Sequence, residues 1–175
     1  MGRPRNTLDI DILVKGGRNF SRAVKALSEL YPDLEVRQLT KLTGFFVPGE
    51  KHSVIDVSYP NRADNAETLA NAIWTEDQEI GVRYRIPTLE EALANKYGAM
   101  LALTRSLPKR MLDAVDFAWM VLHSTDEGRA AIDLPRLEVL GELVWPRGGR
   151  KEILSLVELV KAGRAINIES LHPLA

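Results

Sequence analysis

Leu8-Asp9-Ile10-Asp11-Ile12-Leu13-Val14 decides how this chain is read. In an extended backbone successive side chains leave opposite faces. Leu8, Ile10, Ile12 and Val14 therefore share one face, and Asp9, Asp11 and Leu13 the other. That alternation predicts a half-buried strand, which Gly16-Gly17 ends as a simple turn. Asp9 and Asp11 leave the same face only about 7 Å apart. Carboxylates that close repel each other unless a cation or a shared proton intervenes. Rigid oxygen ligands on a strand fixed by its apolar face suit magnesium, which takes one or two carboxylates together with substrate phosphates. A lone Asp-x-Asp, being short and common, more often marks strand carboxylates facing water, so its surroundings have to decide.

Working outward, Ser53 to Tyr59 reads as a second strand that carries Asp56, with Ile55, Val57 and Tyr59 on its opposite face. A third carboxylate reaching the same place from a neighbouring strand would complete a two-metal site, one ion holding a triphosphate and the other activating an attacking hydroxyl. Between these strands, Ala23, Val24, Leu27 and Leu30 at helical spacing predict a helix from about Ser21 to Tyr31, stopped by Pro32. Leu34 to Gln38 and Gly44 to Val47 are further strand candidates, Ala63 to Ala72 a short helix, and Glu79 to Ile86 a last strand.

From Thr88 the pattern becomes helical. Thr88 followed by Glu91 is a capping-box signature that opens a helix from Leu89 to about Thr104. Three more helices are expected, near 109–123, 134–144 and 152–162, the last two separated by the turn Pro146-Arg147-Gly148-Gly149. The fold class is α+β: a small mixed sheet with flanking helices over residues 1–87, then a helical region over 88–175.

Apolar residues make up 45% of the 175 and charged residues 27%, ordinary proportions for a globular protein with a real core. A formal net charge of -1 argues against a strongly basic nucleic-acid coat, although a local patch still steers ligands. Without cysteine there is no disulfide and no thiolate chemistry. The three scattered histidines, His52, His123 and His172, give no zinc pattern. The apolar run after the basic N-terminus is too short for a signal or a membrane span, so a soluble, cytoplasmic protein without membrane contact is expected.

Arg5-Asn6-Thr7-Leu8-Asp9-Ile10-Asp11-Ile12-Leu13 resembles the R-x-T-x-D-[IV]-D-[IL] segment of the polymerase β-like nucleotidyltransferase superfamily, above all that of the small bacterial nucleotidyltransferases of the abortive-infection toxin type. Those proteins carry a further carboxylate on a later strand, matched by Asp56. A helical L-x-x-L-hydrophobic-x-x-K…R…R-x-x-D-x-x-D segment follows in them, matched by Leu89 to Lys96 and then Arg105, Arg110, Asp113 and Asp116. The resemblance spans roughly residues 5 to 123. It implies a nucleotidyltransferase core in which Asp9 and Asp11 are the metal-binding pair. Asp56 would be the third ligand or the base for the attacking hydroxyl, and Thr7 and Arg5 would support the start of the nucleotide site. Lys96 lies on the stripe of Leu89, Leu93, Met100 and Leu103; it would contact phosphate or nucleotide, or else pair with Asp113 and Asp116.

The implied reaction is a magnesium- or manganese-dependent transfer of a nucleoside monophosphate from a nucleoside triphosphate to a hydroxyl of RNA, protein or a small molecule, with release of pyrophosphate. Expected partners are the triphosphate, a tRNA or protein acceptor, and a second copy of the chain or a cognate antitoxin. Family members place a Gly-Ser pair about ten residues before the first aspartate, at a helix N-terminus that holds the triphosphate; the eight residues before Asp9 carry none. That motivates the alternative of a truncated or non-catalytic binding module, within a toxin–antitoxin pair. A glycosyltransferase reading of Asp-x-Asp calls for a larger parallel α/β domain than this pattern supplies.

Two basic clusters stand out, Arg3, Arg5, Lys15, Arg18 and Arg22 near the aspartates, and Arg105, Lys109 and Arg110 at an interhelical turn. Each is either a phosphate-steering patch or a solvated face. The segment from Ala114 to Leu122, with Trp119 taken as core, is apolar nearly all round. A helix of that kind is deeply buried or covered by another subunit.

Overall fold

A computed structural model describes residues 9–39, 42–125 and 131–171 of the chain. The elements are β1 (Ile10–Leu13), α1 (Arg18–Leu30), β2 (Glu35–Gln38), β3 (Leu42–Phe46), β4 (Ser53–Ser58), α2 (Ala63–Asn71), β5 (Ile73–Asp77) and β6 (Val82–Ile86). Then come α3 (Leu89–Leu101), α4 (Leu107–Leu122), α5 (Leu134–Val144), α6 (Gly149–Lys161) and a short 3-10 helix, Ile168–Ser170. The class is α+β, as the sequence pattern implies. No helix among the described residues is long and apolar enough to cross a membrane. The chain divides into two compact units, Met1–Asn61 and Arg62–Ala175.

In the first unit four strands form one mixed sheet in the order β1-β4-β3-β2. β1 runs parallel to β4, and the other pairs are antiparallel. One face of this sheet is closed by α1, whose Phe20, Ala23, Val24 and Leu27 pack on Phe45, Ile55 and Val57. Gly17 caps α1 with φ 67°, a left-handed conformation that glycine adopts without strain, so the helix begins at Arg18 rather than three residues later. Phe20 meets Tyr59 edge to face at 5.1 Å, fixing the start of α1 against the end of β4. Burial along β1 does not alternate as expected: Ile10, 62% exposed, and Asp11 are both open, whereas Ile12 and Leu13 are both half-buried, and of this stretch Ile12 and Val14 pack on the core.

The second unit is built on a helical core in which Leu93, Tyr97, Met100 and Leu101 of α3 meet Phe117 and Val121 of α4, Leu137 and Leu140 of α5, and Ile153 and Val157 of α6. The capping box at Thr88 and Glu91 is present. Acidic groups at the start of α3 then lock its neighbours: Glu90 accepts from the Asp133 backbone amide at 2.8 Å, and Arg136 of α5 bridges Glu91 at 2.9 Å and Glu67 of α2 at 2.7 Å. β5 and β6 form a two-stranded antiparallel ribbon. Arg85 clasps it to the carbonyls of Ala70 and Ala72 at the end of α2. These contacts draw α2 and the ribbon to the helices, within the unit Arg62–Ala175.

Candidate functional site

Register fixes the geometry around the aspartates. Asp11 on β1 is the direct neighbour of Asp56 on β4, and Asp56 is the neighbour of Gly44 on β3. Gly44 in turn faces Arg37 on β2, so Asp11, Asp56, Gly44 and Arg37 form one row across the four strands. Adjacent strands lie about 4.8 Å apart, which sets the Asp11 and Asp56 backbones at that spacing. Because Ile55 and Val57 point to α1, the period of two puts Asp56 on the opposite face.

Asp56 is half-buried, and its Oδ1 atom is shut off from solvent with no hydrogen-bond partner. Gly44 makes room for that oxygen. A Cβ at this position would fall 3.1 Å from Asp56 Oδ1 and 2.7 Å from the ring of Phe46. The Phe46 ring thus lies over Gly44, and the Arg37 guanidinium stacks on it at 4.1 Å from the centroid. A β-bulge between Phe45 and Phe46 shifts the register here and shapes this end of the row. Arg37 also pairs with Glu35 at 2.7 Å. Gly44 and Arg37 gave no warning in the sequence, because only the cross-strand register brings them into line with the aspartates.

Asp9 lies exposed, one residue before β1. Among the described residues no group of three or more histidine, aspartate or glutamate side chains is arranged to hold a metal ion. The structure thus brings Asp11 and Asp56 together as neighbours in register and leaves Asp9 beside them at the strand entrance. Arg5 and Thr7 lie outside the described residues. Lys15, Arg18 and Arg22 are all exposed, just before and along the first turns of α1.

A carboxylate oxygen buried without a donor is costly, and a cation beside it would relieve that cost. Asp11 and Asp56 therefore suit a hard divalent cation with two adjacent oxygen donors.

Lys96 belongs to the second unit. Its Nζ lies 2.7 Å from Asp116 Oδ2 and 3.2 Å from Asp113 Oδ1. Arg105 adds a second cation 3.0 Å from Asp113 Oδ2, although that oxygen has no hydrogen bond of good geometry. The Lys96 side chain is one-third exposed, so this is an interhelical ion-pair network between α3 and α4 with one side open to water. Arg110 turns inward and donates to the Met100 carbonyl.

No protein-family model matches the chain, and no curated protein matches it significantly. Among solved structures, it is similar to an antigenic nucleotidyltransferase-like protein from Paracoccidioides brasiliensis, at 16% identity and a TM-score of 0.46, over 91% of this chain and 77% of that one.

Proposed function

We propose that this chain is a divalent-cation-dependent nucleotidyltransferase that moves a nucleoside monophosphate from a nucleoside triphosphate to a hydroxyl acceptor. One observation carries the reading: Asp11 and Asp56 stand side by side on parallel strands, with an Asp56 oxygen buried and unpartnered. The order of sequence motifs around Asp9, Asp11 and Asp56 supports it as well.

Asp11 and Asp56 would hold the cation, with Asp9 at the strand entrance as a further oxygen donor. Magnesium or manganese bound there would neutralise the triphosphate and stabilise the charge that builds on it during transfer. The protein's own part is positional. Lys15, Arg18 and Arg22 supply positive charge near the start of α1 to draw in the triphosphate, and Arg5 and Thr7 would support its binding. Lys96 is engaged by Asp113 and Asp116 within the second unit, and a nucleotide role for it rests on the sequence motif alone.

In the transfer the acceptor oxygen bonds to the α-phosphorus, and the bond from that phosphorus to the α,β-bridging oxygen breaks. Pyrophosphate leaves, and the hydroxyl proton would pass to a carboxylate, Asp56 being the candidate if it acts as the base rather than as a cation ligand. A tRNA end or a protein side chain is the acceptor class we favour.

Calorimetric titration of magnesium with each nucleoside triphosphate into the wild type and Asp11→Asn tests this reading. Saturable binding by the wild type, weakened at least tenfold in the variant, is the expected outcome. Equal binding by both proteins would sink the assignment of Asp11, and binding by neither would leave a non-catalytic module.

A further inference from the structure

The amphipathic logic of α4 is incomplete. Its inward face, with Ala114, Phe117 and Val121, is buried in the helical core. The outward face carries Met111, Leu112, Val115, Trp119 and Leu122, all exposed, with Val115 63% and Trp119 49% open to solvent. Between Leu107 and Leu122 Lys109 is the one charged residue that is exposed. Asp113 is buried in its ion pairs, Asp116 is half-buried beside Lys96, and Arg110 folds onto the Met100 carbonyl. Large apolar side chains spaced three and four apart with no charge among them are what a helix shows to another protein surface.

The same face has a concave half and a convex half. Beside its N-terminal part, a cavity of about 420 Å³ opens between α4 and residues 165–169, walled on the α4 side by Leu107, Met111 and Val115. Small residues, Ala114 and Ala118, form its floor. At the C-terminal end Trp119 stands out of the helix, stacked on His123 with centroids 4.1 Å apart, and Leu122 projects one turn on.

We propose that α4 is a homodimer interface, two copies packing antiparallel about a two-fold axis at Val115. An isologous contact requires a surface that complements itself, and this one is symmetric about its midpoint. Met111 of one copy lies opposite the second copy's Trp119, and Pro108 opposite its Leu122. The antiparallel arrangement sets opposite helix-dipole ends together. Five large side chains at about half exposure leave on the order of 500 Å² of apolar surface per copy, the upper range for a monomer's patch. Two such faces bury on the order of 1,000 Å², the area at which specific interfaces begin.

Sedimentation equilibrium of the full chain across the micromolar range tests this, with Met111→Lys and Trp119→Glu as variants at exposed positions whose folding is checked by circular dichroism. The wild type is expected at twice the 19.5 kDa chain mass, and each variant alone at the monomer mass. Because residue 111 of one copy faces residue 119 of the other, a mixture of the two variants is expected to recover the dimer mass. A monomeric wild type would overturn the proposal, whether the face is covered by this chain itself or by a foreign partner. So would a folded variant that stays dimeric, or a mixture that stays monomeric.

Discussion

At Asp56 a carboxylate oxygen is held away from water without a donor, beside a second carboxylate on the next strand. Like charges at that spacing cost about 1 kcal/mol even in a watery environment. Asp56→Asn should therefore stabilise the metal-free protein by about 1 kcal/mol, raising its melting temperature by several degrees. The wild type should gain stability as magnesium is added and the variant should not; thermal melts with and without the ion decide it. Tyr97 carries a second testable strain. Its hydroxyl donates to Glu152 at 2.6 Å, and burial first, then the Glu152 carboxylate, push it well above the ordinary phenol value of 10.0. The folded state keeps this proton while the unfolded state loses it near pH 10. The resulting stability is complete below that pH and is lost as pH rises above it. Urea melts at increasing alkalinity should show the wild type weakening more steeply above about pH 10 than Tyr97→Phe.

Among the elements, those with one buried face were legible. β4 and α5 fall where alternation and helical spacing put them, and the Thr88–Glu91 pair marked the start of α3 correctly. β5 was not legible, because a ribbon with both faces largely exposed has no core to impose alternation on Ile73-Trp74-Thr75-Glu76-Asp77. The start of α6 was hidden for another reason. Gly148-Gly149 reads as a turn, yet Gly149 is the first residue of the helix, pressed against Gly141 of α5. A Cβ on Gly149 would come within 2.0 Å of the Gly141 carbonyl oxygen. Gly149→Ala should force the two helices apart and cost about 3 kcal/mol, read as a lower urea midpoint at unchanged slope. For the candidate site, the strands bearing Asp11 and Asp56 could be anticipated. The register that adds Gly44 and Arg37 to their row could not, since a strand sequence does not declare which partner residue it faces.

Across the whole molecule, stability is unevenly divided. The second unit buries a continuous core from four helices, whereas the first relies on Phe45, Ile55 and Val57 under a single helix. A unit of that size with so small a core is marginal by itself. Amide exchange in β1 and β4 is therefore expected to outpace exchange in α3 and α5, and divalent cation to slow the strands selectively. A fragment spanning 62–175 should keep its helical circular dichroism; its collapse to an unfolded spectrum would show that the helices depend on the sheet.

The division also decides what light can report. Trp74, Trp119 and Trp145 all belong to the second unit, so no indole lies in the unit that carries the aspartate row. A cation settling between Asp11 and Asp56 would leave that emission dark to the event if the units act independently. A change in colour or intensity on adding magnesium would then measure a message passed from sheet to helices, separating signalling between the units from occupancy of the site.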